Sequence, residues 1–345
     1  MSRRDVIEMG LAFVLVAAAA VAHFAEANAV VTFIAAALAI AVLARLVGGA
    51  TEQLGARLGS SVAGVIQSAL GNLPELFIAL FALHDGLTRV VQSALVGSVI
   101  ANSVLVLGIA FVVGGAKHGT QTFNSPRARM IATLTLLAAA ILSVPALAHE
   151  LHAPAAAHSK GLSLICAGVL LALFFLTLPG FLAGGEAPGM PARWTAATTV
   201  AVLASAGVGA AFVSDWFVAA LRPATETFGM SQAFAGLVVV AIAGNAVENV
   251  VGVQLAAQNR PDFAIAVIVN SALQVALALT PVLVFASLFF ATTLTLAYPA
   301  LLAVALLLSA VICAVVVYDG ESTWEEGAIL VGFYVVIAAS FWWGL

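Results

Sequence analysis

The chain has 345 residues, is 63% hydrophobic and only 8% charged, and carries a net charge of −4. Soluble domains carry about a quarter of their residues as charges, so a soluble globular protein is excluded, and with no basic patch so is a nucleic-acid binder. Apolar runs near the roughly 20 residues needed to span a bilayer recur along the whole sequence, which reads as a polytopic all-α membrane protein.

Taken in chain order, the apolar runs between polar breaks predict eleven spans: 7–23, 29–48, 61–84, 90–114, 128–149, 161–184, 194–219, 232–257, 262–290, 293–318 and 326–344. The first follows Ser2-Arg3-Arg4, and Ala25-Glu26-Ala27 has the look of a cleavage site; a retained first helix is preferred over a removed signal peptide because it fits the charge count. Pro281 falls inside 262–290 and predicts a tilt or kink there. Cys166 and Cys313 lie in separate apolar runs with no CxxC or zinc spacing, and read as small core residues.

With the N-terminus inside, Arg3, Arg4, Arg45, Arg57, Lys117, Arg127, Arg129, Arg193 and Arg260 share one side, and only Arg89, Lys160 and Arg222 face the other. The positive-inside rule then sets a cytoplasmic N-terminus and, with eleven spans, an external C-terminus. The segment 319–326 (DGESTWEE) falls on the cytoplasmic side without a Lys or Arg. The histidines at 149, 152 and 158 fall in an outer loop and read as solvated.

Residues 68–83, SALGNLPELFIALFAL, interrupt an apolar run with a Gly-Asn-x-Pro-Glu cluster. The stretch has an echo at 241–256, AIAGNAVENVVGVQLA. An offset of 173 residues aligns Gly71 with Gly244, Asn72 with Asn245, Glu75 with Glu248 and, further on, Ser98 with Ser271. Spans two to six and seven to eleven thus form two blocks of five. An odd number of crossings turns the second block upside down, which is the inverted-repeat plan of secondary transporters. The expected organisation is an N-terminal helix and outer loop (1–28), a first repeat (29–184), a cytoplasmic linker (185–193) and a second, inverted repeat (194–345).

Of the sixteen acidic residues, Glu75 and Glu248 are read as the two deep inside spans. A charged side chain at that depth costs roughly 2.5–3.5 kcal/mol or more, and no span offers a central basic partner. A bound cation or a proton is the remedy. Gly71 and Gly244 let the backbone leave the helix, Pro74 suits the first turn of a half-helix, and Asn72 and Asn245 add amide oxygens beside freed backbone carbonyls. Carboxylates, amides and carbonyls form a set for a hard cation such as Ca2+; no His or Cys accompanies them, against zinc or copper. Ser98, Asn102, Ser271 and Gln274 are read as cavity lining or as helix-packing groups, and Asn249 as a neighbour of Glu248. The charge of two carboxylates matches one divalent ion, so Ca2+ is expected to be preferred over Na+ or K+.

GNLPELFIALFAL, VVQSALVGSVIANSVLVLG, GLVVVAIAGNAVEN and the Ser-x-Leu-Gln at 271–274 resemble the cation/proton exchanger family of the calcium/cation antiporter superfamily. The resemblance covers roughly 30–345. It implies one helix plus two inverted five-helix repeats, Ca2+/H+ exchange driven by the proton gradient, and acidic ligands at Glu75 and Glu248. Departures from the family pattern are Asn249 for a His, Asn270 for a Gly, Gln67 for an Asn, Leu73-Pro74 for Ala-Thr, and a linker whose only acidic residue is Glu186. Without an imidazole at 249, the pH profile is expected to follow the two coupled carboxylates. The implied setting is a prokaryotic inner membrane, with Ca2+ and H+ as transported ions, no resident cofactor and no nucleic-acid partner. Na+/H+ or K+/H+ exchange at the same carboxylates is the alternative, and a cation channel without proton coupling a distant one. An intramembrane aspartyl protease, suggested by Tyr318-Asp319, lacks a second deep Asp to share its proton.

The topology is directly testable: a reporter fused after Arg129 should read cytoplasmic and one at Leu345 external, and two fusions reading the same side would remove the eleven-span count.

Overall fold

The computed structural model describes residues 3–58, 70–183 and 192–344. It is almost entirely helical. In chain order the helices are α1 (Arg3–Phe24), α2 (Ala29–Leu58), α3 (Leu73–His84), α4 (Thr88–Ile100), α5 (Leu107–His118), α6 (Ser125–Glu150), α7 (Ser159–Ala183), α8 (Ala196–Phe228), α9 (Ala246–Ala257), α10 (Pro261–Gln274), α11 (Thr280–Ala286), α12 (Ala300–Val316) and α13 (Trp324–Trp342). Short pieces at Gln232–Phe234 and Ala241–Gly244 flank a π-helical turn. Two-residue strands β1 (Gln121–Thr122) and β2 (Glu321–Ser322) pair antiparallel.

Among the described residues, eight helices are long and apolar enough to cross a membrane. The bent pair Gln232–Gly244 and Glu248–Ala257, broken by more than 40°, makes nine if counted as one span, and α3 and α12 are shorter apolar helices. Several boundaries differ from the sequence reading. Helix α2 continues past 48 to Leu58, because Glu52, Gln53 and Arg57 favour helix and two of them find partners beyond it. Helix α8 continues past 219 to Phe228. The run 293–318 becomes helical only at Ala300. In 262–290 the chain passes Pro281 with a π-helical turn at Val275–Leu279; Thr280 Oγ1 donates to Val275 O (2.9 Å), taking up a carbonyl near the proline's missing N–H. Residues 61–69, Gln67 among them, and nearly all of the 185–193 linker with Glu186 lie outside the described residues.

The 173-residue spacing recurs in the helix bounds. Helix α3 runs from 73 to 84 and α9 from 246 to 257; both ends are displaced by 173. Helix α4 starts at 88 and α10 at 261, the same displacement. The π-helical turn Ala101–Val106 that follows α4 has its counterpart in Val275–Leu279 after α10.

The chain forms two compact units that cut across the two sequence halves. The first holds the described parts of Met1–Asp85, Ala172–Gly229 and Ala243–Val247. Helix α2 lies along α8, α1 packs on both, and α3 packs on α8. Phe33 stacks on Phe217 at 4.8 Å, and His23 on Trp216 at 5.6 Å. Asp215, which the sequence places near a span end, is exposed beside that aromatic pair. At the other end of α2, Trp194 is clasped. Its indole N–H donates to Asp5 Oδ2 (2.9 Å), its backbone N–H donates to Gln53 Oε1 (3.2 Å), and its carbonyl accepts from Arg57. Arg57 and Arg193 therefore lie at the same end of this unit.

The second unit holds Gly86–Leu171, Met230–Ile242 and the described part of Glu248–Leu345. Its centre is the continuous helix formed by α4, the π-helical turn and α5, whose residues Val90–Ala101 are all buried. Helix α13 packs along α5 and α12 along α6. At one end, β1 pairs with β2 and Ser125 Oγ donates to Tyr318 O (2.8 Å), so the acidic 319–326 loop shares its end with Lys117 and Arg127. At the other end of α4, Gln92 donates to Thr295 O (2.8 Å), and Ser163 Oγ accepts from Leu296 N–H (2.9 Å).

Small residues let these helices approach. A Cβ on Gly108 would lie 2.8 Å from Gly327 O, and one on Gly327 would lie 2.5 Å from Gly108 O. With little hydrophobic drive between helices in lipid, such close backbone packing replaces it. Gly108→Ala or Gly327→Ala must push α5 and α13 apart, at a cost of about 1–3 kcal/mol. Each is expected to lower the thermal unfolding midpoint in detergent, while Gly332→Ala, on the same α13 but with open space at its Cβ, leaves it unchanged.

Candidate functional site

The candidate residues occupy the starts of two helices. Helix α3 begins directly after Gly71-Asn72, with Asn72 as N-cap at φ −96°, ψ 19° and no capping bond from its own side chain. The Asn72 carbonyl accepts the first helical bond from Leu76 N–H (2.9 Å). Pro74 stands in the first turn, where its missing N–H leaves no helical bond unmade. Glu75 is the third residue of the helix. Its side chain is 2% exposed and Asn72 is 7% exposed, with Gly71 buried beside them.

Helix α9 begins directly after Asn245 and repeats the arrangement, with Glu248 as its third residue. Asn245 is 1% exposed; Glu248 and Asn249 are half-buried. A carboxylate in the first turn meets unsatisfied backbone N–H groups and the positive end of the helix dipole, a stabilisation of about 0.3–1 kcal/mol, up to about 2 when partly buried. This offsets only part of the cost of a carboxylate in an apolar interior.

Within the first unit the two motifs meet. The turn carrying Gly244 lies against Glu75, and a Cβ on Gly244 would sit 3.2 Å from Glu75 Cβ and 3.4 Å from its Cγ. The second motif's glycine is thus an element of the first glutamate's surroundings. In the second unit, Asn102 Nδ2 donates to Ser271 Oγ (3.1 Å), joining the π-helical turn after α4 to α10. Both residues and Ser98 are buried, whereas Gln274 is half-buried at the end of α10. Asn249 Nδ2 donates to Ile242 O at 3.4 Å. It bridges the break in 232–257 by taking a carbonyl that the interrupted helix leaves open. That is a task for an amide, and a reason for Asn at this position that the sequence did not supply.

The candidate side chains carry carboxylate, amide and hydroxyl oxygens, a chemistry that suits a hard cation. Among the described residues no group of three or more His, Cys, Asp or Glu gathers as a metal cluster, the outer-loop histidines included. Sequence reasoning missed three features near the site. The π-helical turns have no composition signature. Gly97 and Gly236 pack against the backbones of Leu237 and Val90, a helix contact hidden among many glycines. Two polar side chains, His118 and Gln121, bind the far end of α9.

Comparison with known proteins gives the same organisation a context. The sodium/calcium exchanger protein family matches this chain over two stretches, residues 28–183 and 198–343. The Ca(2+)/H(+) antiporter ChaA of Bacillus subtilis (strain 168) is 34% identical over 313 residues, covering 88% of this chain and 89% of its own length. The Ca(2+)/H(+) antiporter of Aphanothece halophytica is 31% identical over 342 residues, covering 92% of each. The solved structure of native YfkE superposes with a TM-score of 0.83 at 31% identity, covering 96% of this chain and 99% of that one. The H+/Ca2+ exchanger CAX, at 16% identity, shares the fold with a TM-score of 0.76 over 97% of this chain and 92% of that one.

The Gly244 contact predicts a local effect. Gly244→Ala fits only if Glu75 yields by a few tenths of an ångström. The variant is expected to need at least about threefold more Ca2+ for the same thermal stabilisation in detergent, a change of roughly 0.65 kcal/mol. Gly207→Ala, with open space at its Cβ, serves as the unchanged control.

Proposed function

The chain belongs to the sodium/calcium exchanger protein family, and we propose that it is a secondary antiporter that exchanges Ca2+ for H+. Its relatives are transporters by name, and an enzymatic role has no support in the site. The observation that carries the reading is the pair of carboxylates in the first turns of interrupted helices, Glu75 and Glu248, held 173 residues apart in matched backbone settings. Glu75 is buried in an apolar protein, which disfavours its charged form; a bound cation stabilises the carboxylate and a proton neutralises it. Binding of a cation and of protons is then competitive by construction.

In this reading Glu75 and Glu248 are the cation and proton ligands. Asn72, Asn245 and the carbonyls around Gly71 and Gly244 complete the oxygen set. Pro74 shapes the first break, and Ser98, Asn102, Ser271, Gln274 and Asn249 support the surroundings. Protonation from one side releases Ca2+, and deprotonation on the other permits rebinding. Two formal negative charges balance one Ca2+, whereas one Na+ leaves a charge uncompensated unless a carboxyl stays protonated.

The matched helix bounds and the family's match to both halves support eleven spans arranged as one helix plus two inverted five-helix repeats. Alternating access is the mode of transport that such an inverted-repeat plan implies. The charge count supports an N-terminus in the cytoplasm and a C-terminus outside, in a prokaryotic inner membrane. With those directions, Ca2+ leaves the cell as protons enter.

Everted membrane vesicles carrying a proton gradient test this reading. Addition of Ca2+ is expected to collapse the gradient, with a weaker response to Na+ or K+. Glu75→Gln and Glu248→Gln keep the shape but carry neither charge nor transported proton, and each is expected to abolish exchange while the protein still inserts. Proton-coupled uptake by either variant would remove the two-carboxylate mechanism, and a response to Na+ or K+ with none to Ca2+ would replace it with monovalent exchange.

A further inference from the structure

The helix that carries Glu248 in its first turn is held at its other end. Helix α9 has no basic residue in its last turn; the N–H groups of Gln258, Asn259 and Arg260 reach back to the carbonyls of Gln254, Leu255 and Ala256, but no charge within that turn answers the negative end of the dipole. Two side chains, one from the last residue of α5 and one from the strand that follows it, bind this end. Gln121, only 3% exposed, donates from Nε2 to Ala256 O (3.1 Å) and to Asn259 Oδ1 (2.9 Å). The His118 Nε2 lies 3.1 Å from Ala257 O, the carbonyl of the helix's final residue. A carbonyl accepts only, so this contact needs a proton on Nε2. Neutral imidazole meets that need in one tautomer; imidazolium meets it always, and adds a positive charge at a helix C-terminus.

The segment that carries these two residues is itself anchored. Its strand β1 pairs with β2, and Asn124 N–H donates to Asp262 Oδ1 (2.5 Å) at the start of the next helix. His118 is exposed and lines an open polar cavity of about 350 Å3 with Arg260 and Asp262. The other charged groups at this end are Lys117 on its own helix and Glu321 opposite Thr122 on β2. The imidazole is open to the solution at this end of the molecule. Histidine is the side chain whose charge ordinarily changes between pH 5 and 8.

We propose that His118 is a positioning residue for the Glu248 helix, acting as an acid brake: when protonated it grips the last carbonyl of α9 and slows the rearrangement that exchange requires. The inference rests on the antiporter reading above. Its logic is protective. A carrier that admits protons loses speed as its own cytoplasmic side acidifies, through a group at the opposite end of the helix from the transported charge.

The test compares His118→Gln, a neutral donor, and His118→Lys, a permanent cation, with the parent in everted vesicles whose outer bath is the cytoplasmic face. A helix C-terminal charge changes an equilibrium by about two- to fivefold. His118→Gln is expected to exchange about two- to fivefold faster than the parent at pH 6 and equally at pH 8, whereas His118→Lys is slowed at pH 8 as well. Profiles that superimpose, or that differ by one constant factor at every pH, overturn the proposal, the second because it marks a merely structural contact. A second readout does not depend on transport. In purified protein, deuterium uptake by 250–259 is compared between parent and His118→Gln at each pH, which cancels the intrinsic pH dependence. The parent is expected to be the better protected only on the acid side of neutrality, and equal protection throughout overturns the tether. Failure of the parent vesicles to exchange any cation would instead remove the antiporter reading, and leave the deuterium comparison to decide the tether.

Discussion

A charge buried in an apolar helical protein is the constraint on which the rest of this structure turns. Water is absent from the hydrocarbon region, so backbone groups must be satisfied internally and ionised side chains must be compensated. The chain meets the first demand nearly everywhere with long helices. It relaxes it beside Glu75 and Glu248, where the helices begin afresh after Gly71-Asn72 and Gly244-Asn245. The interruption and the charge belong together. A helix start presents N–H groups and a positive dipole end to the carboxylate, while the broken turn before it exposes carbonyls. A continuous helix would offer the glutamate neither.

Close backbone approach follows from the same setting. Hydrophobic burial does little to bring helices together when lipid is as apolar as leucine. Gly108 against Gly327, and Gly97 and Gly236 against neighbouring backbones, let dispersion contacts hold the helices instead. The π-helical turns at Ala101–Val106 and Val275–Leu279 fall at related places in the two halves. The first carries Asn102, whose amide reaches Ser271 on α10. A π-helical turn shifts the register of side chains along a helix, so residues on either side of it face different neighbours. The polar group is thereby turned inward without breaking the helix.

The ends of the helices are tied by polar side chains that the apolar runs gave no reason to expect. Trp194 is gripped by Asp5, Gln53 and Arg57 in one unit; Ser125, Gln121 and His118 tie loops and helix ends in the other. Single hydrogen bonds of this kind contribute about 0.5–1.5 kcal/mol each. Their role is positional, because they decide which helix ends move together. The end of the helix that carries Glu248 in its first turn is among them.

Much of this was legible in the sequence because a bilayer imposes a strong pattern. Long apolar runs, the asymmetry of Lys and Arg, and two GNxxE clusters 173 residues apart are one-dimensional signals. They point to apolar spans and single out two carboxylates in repeated settings, since each depends on composition or spacing alone. Helix ends were less legible: α2 and α8 run past their apolar stretches because helix continues wherever polar residues find partners. Neither the contact of Gly244 with Glu75 nor the bonds of Asn249 to Ile242 and His118 to Ala257 has a local signature. The first joins residues 169 positions apart and the last 139. Spacing singled out the two glutamates that recur in matched helix starts; only tertiary packing decided what each residue touches, because a contact between distant segments depends on where several helices lie at once.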